Sequence, residues 1–417
     1  MRAWLLLAAV TFLPRVVMAF FLGVWGDPER WEYDVIAANI HAGAGHVYNR
    51  GGFVYTAYAP PLWSYILAAL LGLPGVTRAS VQILQALFCF GTATACAALA
   101  RRLGGSDTAA MVTGLFVALQ PSLLYYSVVK SDPLPLNALL LSLIALASAD
   151  LIDKPGQVRA AGAGILIALA TLSRGTPAIA LPLVALLLLL RFGRKAVKPI
   201  LIMGLAMFLG LAPWLVRNTM VFGEPLITTT TGENFWRGNN ERATGGVLDP
   251  AGRSLTRLSP TGDVFSPAIR AVLANGAEVD RQHVFMAEAG RFIGAHPFEA
   301  GGLFARKMRA FWWRIESNPG DYDPASARLY EWIYRIELGL AMVGGGVLLR
   351  MPRTGGATAV LDTAALLAGL MIGISILQSA FYVQGRHRFL IEPLLLIFSA
   401  RGLTAIRTAF LAGGRRE

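Results

Sequence analysis

Carboxylate side chains cluster in two short segments of this 417-residue chain, and each segment borders a long apolar run. The first segment places Asp27, Glu29, Glu32 and Asp34 just after the apolar N-terminal run. The second places Asp132 just before another apolar run. Two carboxylates at one site can act as a general base and as a partner that orients or balances it. The acids therefore predict proton-transfer chemistry if the fold brings the two segments together.

Structural roles compete with this chemistry at each acid. The helix dipole favours acids at a helix start, and Asp before proline is a common first residue of a helix. These roles stay open for Asp27, Glu29 and Asp132. Glu32 differs because it lies four residues before Ile36 and shares the apolar face of the same predicted helix. The candidate catalytic residues are Glu32, Asp132 and Asp27.

Basic side chains form a second set at the ends of apolar runs. Arginine forks suit phosphate oxygens, and a charge at a membrane boundary is costly unless it is used or paired. The alternative is a long side chain that reaches the interface beside aromatic residues. The candidates for binding a phosphate group are Arg174, Arg217, Arg386, Arg388 and Lys307.

Arg15 is a separate case, because it lies in the middle of the first apolar run. A charge at that depth requires a partner. Glu337 and Asp362 also lie within apolar runs, and either is a candidate to pair with it.

The composition indicates which elements must position these groups. The chain is 55% hydrophobic and 15% charged, whereas soluble domains are about 45–50% apolar and about 25% charged. This excess favours an all-α polytopic membrane protein over a cytosolic enzyme, a disordered chain or a small secreted scaffold. The net charge of +12 is then expected mainly in cytoplasmic loops, where basic residues collect.

About ten transmembrane helices are predicted, since a spanning helix needs about 20 apolar residues. The shorter run from Pro60 to Leu73 is interpreted as half-embedded, because a full crossing would move every later basic loop to the outside. Both termini are then cytoplasmic. The predicted spans are 3–25, 79–100, 106–127, 133–152, 160–173, 176–191, 199–216, 328–349, 359–382 and 389–410.

Three regions follow from this topology. An N-terminal transmembrane module, 1–216, contains the external loop 26–78, and the C-terminal helices occupy 328–417. Between them lies an extracytoplasmic loop region, 217–327, in which helices are predicted over Ser266–Asn275 and Glu278–Ala295.

Five residues of this loop region have side chains suited to sugar hydroxyls or sugar faces, although an Asn/Gly turn is the equal alternative. They are Glu233, Asn234, Trp236, Asn239 and Asn240.

Several motifs, in order along most of the chain, resemble those of the GT-C membrane glycosyltransferases. The closest branch is the bacterial one akin to protein O-mannosyltransferases and lipid A aminoarabinose transferases. The motifs are Trp31-Glu-Tyr-Asp-Val-Ile-Ala-Ala-Asn-Ile40, Tyr58-Ala-Pro-Pro-Leu-Trp63, Leu172-Ser-Arg174, Pro213-Trp-Leu-Val-Arg-Asn218, Trp236-Arg-Gly-Asn-Asn240 and Gly385-Arg-His-Arg-Phe-Leu-Ile-Glu-Pro393.

The resemblance implies transfer of a sugar from a polyprenyl-phosphate donor to a lipid, glycan or protein acceptor, with inversion at the anomeric carbon. It implies an active site on the extracytoplasmic face of a bacterial inner membrane. It also implies catalytic acids in the first two external loops, which correspond to Glu32 and Asp132 here. By the same resemblance, Tyr33, Tyr58 and Trp63 are expected at the substrate site.

The sequence departs from the family pattern in three places. Pro28 splits the usual adjacent acid pair after the first span, and His387 replaces a tyrosine. Ser131-Asp132-Pro133 lacks the D-x-D arrangement of the metal-dependent relatives, so no metal and no cofactor are expected. The main alternative function is a transporter or flippase of a lipid-linked or small anionic substrate, and a noncatalytic envelope subunit is a third.

Overall fold

The computed structural model describes residues 2–313, 323–352 and 357–413. Arg353, Arg415 and Arg416, which contributed to the predicted cytoplasmic charge, lie outside these ranges. Within them the regular secondary structure is helical apart from one two-stranded hairpin, which confirms the predicted all-α polytopic class.

The first half contains ten helices and one small hairpin. Their bounds are α1 Arg2–Phe21, α2 Glu32–His41, β1 Tyr48–Arg50, β2 Phe53–Tyr55, α3 Pro61–Leu71, α4 Ala79–Arg102, α5 Asp107–Ala118, α6 Pro121–Val128, α7 Leu134–Asp153, α8 Gln157–Ser173, α9 Ala180–Phe192 and α10 Val197–Phe222. Short 3-10 turns precede α9 at Thr176–Ile179 and α10 at Gly193–Ala196.

The second half begins with four helices of the loop region and ends with the C-terminal helices. Their bounds are α11 Thr231–Gly238, α12 Pro267–Asn275, α13 Glu278–Ala295, α14 Pro297–Trp313, α15 Pro324–Leu349, α16 Ala357–Ala380, α17 Gly385–Phe389 and α18 Glu392–Gly413. The helices predicted at Ser266–Asn275 and Glu278–Ala295 are confirmed as α12 and α13.

The number of spans is smaller than predicted when it is judged by helix length and composition. In the described part of the chain, seven helical runs are long and apolar enough to cross a membrane, or eight if α5 and α6 form one bent span. The count of ten is not confirmed for two reasons. Helix α8 has only 17 residues, and α9 and α10 merge into one apolar run of 47 residues.

The break between α5 and α6 has a local cause. Pro121 has no backbone N–H to continue the helical pattern and disfavours helical geometry in the preceding residue. Gln120 is accordingly extended, and the two helices meet at 45°. The break places the amide of Gln120 inside the protein, where it hydrogen-bonds to Glu392.

The hairpin of β1 and β2 was not predicted from the sequence. Its strands are antiparallel, with Tyr48 opposite Tyr55, and Gly51 and Gly52 at the turn have positive φ values of 60° and 89°. Glycine adopts this conformation without steric cost, and paired positive φ values suit a tight hairpin. The hairpin holds Arg50 toward the loop region, where its guanidinium pairs with Glu233.

The loop region has a small apolar core of its own, formed by residues of α11, α12, α13 and the segment between α11 and α12. It is fastened to the first external loop by Glu278, whose carboxylate accepts hydrogen bonds from the backbone N–H groups of Thr56 at 2.7 Å and Ala57 at 3.0 Å. This fastening closes the loop region over the ends of the membrane helices, so residues from both parts meet in one cavity.

Arg15 does not pair with either predicted acid. Its guanidinium donates to Ser127 Oγ at 2.9 Å and to the backbone carbonyls of Thr11 at 2.7 Å and Ala118 at 2.9 Å. Asp362 instead pairs with Arg191. The prediction of an acidic partner is wrong because backbone and hydroxyl oxygens near the α5–α6 break solvate the buried charge.

Candidate active site

Two glutamines of α4 bring the acidic segments together. Gln82 accepts from the Gly26 N–H at 2.9 Å and donates to the carbonyls of Val24 at 2.9 Å and Val128 at 2.7 Å. One helical turn on, Gln85 accepts from the Asp132 N–H and donates to the Lys130 carbonyl, each at 2.9 Å. One rigid helix face therefore sets the position of both acidic segments.

The two segments also pair with each other through their backbones. Glu29 N–H donates to the Val129 carbonyl at 2.7 Å, and Ser131 N–H donates to the Glu29 carbonyl at 3.0 Å. Glu32 and Asp132, which follow these paired residues, line the same cavity. The fold thus brings the two acidic segments together, which is the condition for the predicted proton-transfer chemistry.

The cavity has a volume of about 700 Å³ and lies between the helix ends and the loop region. Its walls combine both acids with arginines, tyrosines and amides. The polar and aromatic side chains that line it include Trp31, Glu32, Tyr33, Tyr48, Arg50, Tyr58, Tyr126, Asp132, Asn137, Ser173, Arg174, Thr176, Asn234, Arg237, Gln378, Tyr382, Gln384, Arg386 and His387.

Glu32 and Asp132 are partly exposed, and the space they face is the cavity. Burial raises the pKa of both carboxyl groups above their ordinary values, and the positive charge of Arg386 offsets only part of the rise. Asp132 also accepts from the Leu134 N–H at 2.8 Å, but the N-cap residue of α7 is Pro133 and not Asp132. Glu32 is the first residue of α2.

The other acids of the first external loop do not line the cavity. Asp27 is exposed and lies 3.6 Å from Arg30. Glu29 is half-exposed and pairs with Lys130 at 3.1 Å. The structure therefore does not bring Asp27, predicted as a catalytic candidate, to the other acids.

Arg174 and Arg386 supply the positive charge beside the acids. Arg174 follows α8 and donates to Gln378 Oε1 at 3.2 Å, and Arg386 lies on α17 with its guanidinium 5.8 Å from the Trp31 ring. Burial lowers the pKa of Arg174, and the like charge of Arg386 lowers it further. Two guanidinium groups close together in a partly desolvated space favour a bound anion such as a phosphate.

The other predicted phosphate-binding residues do not line the cavity. Arg217 donates to the Thr56 carbonyl at 2.8 Å and to Asn218 Oδ1 at 2.7 Å, which ties α10 to the first external loop. Lys307 is buried and donates to the Gly238 carbonyl at 2.9 Å and to Asn239 Oδ1 at 3.0 Å. Both residues position backbone that surrounds the cavity.

Several predicted substrate-binding residues have structural roles. Trp63 is fully buried against Phe88, and Trp236 packs in the small core of the loop region. The amides of Asn239 and Asn240 donate to backbone carbonyls, as the turn interpretation allowed. Tyr33, Tyr58 and Asn234 line the cavity, whereas Glu233 lies just behind its wall, paired with Arg50 and Arg237.

Arg388 belongs to a buried polar cluster at the α17–α18 junction. Its guanidinium is 1% exposed and lies 3.2 Å from the carboxylate of Glu392, which is fully buried. Ser122 Oγ and Gln120 Nε2 donate to the same carboxylate at 2.8 Å each, and the Tyr330 hydroxyl donates to it as well. The cluster anchors the short helix that presents Arg386 to the cavity.

Replacing Glu392 by glutamine is expected to lower the free energy of unfolding by about 3–5 kcal/mol, because it leaves the buried charge of Arg388 without its counter-ion. Thermal unfolding in a mild detergent measures the effect. The matched control is Glu331→Gln, which breaks the more exposed ion pair with Arg335 and should cost no more than about 1 kcal/mol. Equal losses in the two variants would contradict the anchoring role.

Sequence reasoning missed several residues of the cavity. Arg50 is held there by the hairpin, and its Asn-Arg-Gly-Gly sequence was a signal for that turn. Arg237 lies inside the Trp236-to-Asn240 motif, but only its neighbours in that motif were predicted to bind substrate. Tyr382 and Gln384 follow the end of α16, and no local pattern marked them.

Within the described ranges, no group of three or more His, Cys, Asp or Glu side chains is arranged to hold a metal ion.

Together the fold and the cavity define a polytopic helical membrane protein with two carboxylates and two guanidinium groups in one cavity. Residues 58–216 match the family described as dolichyl-phosphate-mannose-protein mannosyltransferase. No protein of curated function matches the chain in sequence.

Two solved structures share the fold. The archaeal oligosaccharyltransferase AglB from Archaeoglobus fulgidus, in complex with an inhibitory peptide and a dolichol-phosphate, aligns over 90% of this chain with a TM-score of 0.50 and 13% identity. An A. fulgidus oligosaccharyltransferase in complex with Zn and sulfate aligns over 98% of this chain with a TM-score of 0.54 and 14% identity.

This chain spans about half the length of those structures, 46% and 49% respectively. At such low identity the likeness concerns the fold alone. Together with the family match, it confirms the resemblance to GT-C membrane glycosyltransferases that the motifs predicted.

Proposed function

We propose that the protein is a membrane glycosyltransferase that moves a sugar from a polyprenyl-phosphate donor to a hydroxyl group of an acceptor. One observation carries the proposal: a single cavity is lined by Glu32, Asp132, Arg174 and Arg386. A phosphate-linked sugar transfer needs a base for the acceptor hydroxyl and cations for the phosphate that leaves.

The proposed reaction is one direct displacement with inversion. Glu32 takes the proton of the acceptor hydroxyl as its oxygen forms a bond to the anomeric carbon. The bond from that carbon to the phosphate oxygen breaks, and prenyl phosphate leaves with the electron pair. Arg174 and Arg386 bind the phosphate and stabilise its growing negative charge. Asp132, fixed by the Leu134 N–H, orients the acceptor and balances the arginines.

Unpaired polar atoms support a polyhydroxyl substrate in this cavity. The side-chain oxygens of Asn137, Ser173, Thr176 and Gln384 are buried and have no hydrogen-bond partner among the described residues, and all four residues line the cavity. Buried polar atoms are usually paired, so each unpaired atom calls for a ligand or water. Sugar hydroxyl groups supply donors and acceptors of the required kind.

We place the reaction on the extracytoplasmic face of a bacterial inner membrane. The cavity lies near the N-terminal end of α4, where Gln82 and Gln85 hold the acidic segments. Arg101 and Arg102 end the same helix about 25 Å away. Basic residues mark the cytoplasmic side, which supports an external cavity.

The experiment that tests the function measures prenyl phosphate released by the purified protein. The protein is offered a panel of polyprenyl-phosphate sugars together with crude envelope acceptors, with and without EDTA. We expect release with at least one donor, unchanged by EDTA because no metal is required. Absence of release with every donor, with transport of labelled lipid across a vesicle, would contradict this proposal and favour a flippase.

The raised pKa values of the acids predict how the rate depends on pH. A base must be deprotonated, so kcat/KM should rise with pH through a value above the ordinary glutamate pKa of about 4.3. The physical cause is the burial of Glu32, which the charge of Arg386 only partly offsets. A pH–rate profile from pH 4 to 9 measures it. An acid limb at or below the ordinary value would contradict Glu32 as the base.

The same pKa shift predicts a stability change that does not depend on turnover. A carboxyl group with a raised pKa in the folded state destabilises the protein above that pKa, and it costs nothing below the unfolded pKa. Glu32→Gln should therefore raise the Tm at pH 8. The gain should vanish below about pH 4. Glu241→Gln, at an exposed position, should leave the Tm unchanged at both pH values.

A further inference from the structure

The cavity holds a second pair of guanidinium groups, Arg50 and Arg237, for which the proposed donor chemistry has no use. Arg50 belongs to the hairpin and Arg237 to α11, so both come from external segments. Arg174 and Arg386, in contrast, lie at the ends of helices near the membrane. One arginine of each pair, Arg386 and Arg50, lowers the pKa of Glu32. The acid is therefore close enough to both pairs to interact with their positive charges.

The second pair carries more positive charge than its protein partners neutralise. Arg50 pairs with Glu233 at 2.8 Å, and Arg237 pairs with the same carboxylate. The single negative charge of Glu233 therefore neutralises only one of the two positive charges. Burial lowers the pKa of Arg237, the neighbouring Tyr382 partly offsets this, and the charge of Arg50 lowers the pKa further. An added anion would relieve this repulsion.

The hydrogen bonds of Arg237 also indicate an anion at this position. Arg237 is 6% exposed and lines the cavity. Its Nη1 donates to Asn234 Oδ1 at 2.6 Å, but its Nε is buried and has no acceptor among the described residues. Leaving a buried donor unpaired is costly, and a donor on a cationic group more so. A bound oxyanion would satisfy it.

We propose that Arg50 and Arg237 form a second anion-binding subsite, which takes an acidic group of the acceptor. The ligand is an oxyanion, a phosphate monoester or a carboxylate, on the same molecule as the attacking hydroxyl. Tyr48 and Tyr58 line this part of the cavity, with their rings 4.7 Å apart, and Arg50 lies 5.6 Å from the Tyr58 ring. Such rings suit the faces of a sugar, so the acceptor is an acidic or phosphorylated glycan. This inference rests on the proposed function.

A binding experiment tests the subsite without turnover. The full-length protein, saturated with polyprenyl phosphate to fill the Arg174–Arg386 site, is titrated with glucose, glucose 6-phosphate and glucuronate. Both acidic sugars should bind at least about tenfold more tightly than glucose, the gain expected of one charge-assisted hydrogen bond. Arg237→Gln and Arg50→Gln should remove the preference, whereas Arg291→Gln, at an exposed arginine of the loop region that pairs with Glu288, should keep it.

A second variant controls for misfolding, because Arg237→Gln removes an ion-pair partner of the buried Glu233 and could destabilise the protein. The double variant Glu233→Gln/Arg237→Gln removes both charges of that pair, and it too should lose the preference. Equal binding of acidic and neutral sugars by the wild type, or a preference that survives in the double variant, would overturn the subsite. If the arginine variants bound polyprenyl diphosphate more weakly than the wild type but bound the acidic sugars equally well, the anion would belong to the donor. That result would overturn its place on the acceptor.

The outcomes separate this inference from the proposed function. If the acidic preference is present but no donor releases prenyl phosphate, the glycosyltransferase proposal fails and the anion subsite stands. If prenyl phosphate is released but the preference is absent, the subsite fails alone.

Discussion

Glu32→Gln should lower kcat by about 10²- to 10⁴-fold, the contribution expected of a positioned general base. Glutamine keeps the size and most hydrogen bonds of the side chain but cannot accept the acceptor proton. Binding of the donor should be preserved, because its phosphate is held by Arg174 and Arg386. Release of prenyl phosphate under saturating donor and acceptor measures kcat, and a separate titration with labelled donor measures its Kd.

An acid excluded from the cavity is the matched control for this variant. Asp27→Asn changes an exposed carboxylate of the same loop, beside Arg30. It should keep kcat within about twofold, since surface substitutions perturb little. A large loss in Asp27→Asn, with Glu32→Gln nearly fully active, would move the base to Asp27 and would require a cavity different from the one observed.

Arg386→Gln should lower kcat by about 10²- to 10³-fold, comparable to removing one fixed donor from a site where negative charge develops. The same change should weaken donor binding, because the phosphate carries charge before the reaction as well as during it. Arg386 lies close enough to Glu32 and Asp132 to act on the pKa of both. Its removal should therefore also move the acid limb of the pH–rate profile to higher pH.

The control for the charge change is Arg101→Gln at the opposite end of α4. Arg101 is half-exposed and pairs with Asp107 at 2.8 Å, so its loss should leave kcat and the pH profile unaltered. If Arg386→Gln altered the rate but left both the donor Kd and the acid limb in place, Arg386 would not contact the phosphate. Arg386→Lys separates charge from geometry, because lysine keeps the charge but lacks the planar fork.

Apolar run length predicted most of the helices. The observed helices α4, α7, α15 and α16 lie within a few residues of their predicted spans, because burial in lipid leaves no other local structure for such segments. Helix α8 shows the limit of this reasoning. It is apolar and falls at the predicted place, yet its 17 residues do not by themselves decide whether it crosses.

The site was predicted only in part, and the reason differs between its residues. Glu32 and Asp132 could be found because each borders an apolar run. In addition, Glu32 shares a predicted helix face with Ile36, and Asp132 precedes a proline. Arg50 reaches the cavity through a glycine turn and a pairing with Glu233 that is 183 residues away in sequence. Arg388 and Arg386 are two residues apart, but the helical turn sends one to the cavity and the other to Glu392. Sequence spacing alone does not give that choice.

The attachment of both acidic segments to α4 has a consequence for how this protein can vary. In the described part of the chain, the hydrogen bonds of Gln82 and Gln85 to those segments go to backbone atoms, at Val24, Gly26, Tyr126, Ser127, Val128, Lys130 and Asp132. Side chains around the two acids can therefore be exchanged without moving the acids themselves. Substrate preference and reaction geometry are thus separable. Libraries that randomise the cavity wall, with Glu32, Asp132, Arg174 and Arg386 held constant, should keep turnover as long as the two glutamines stay.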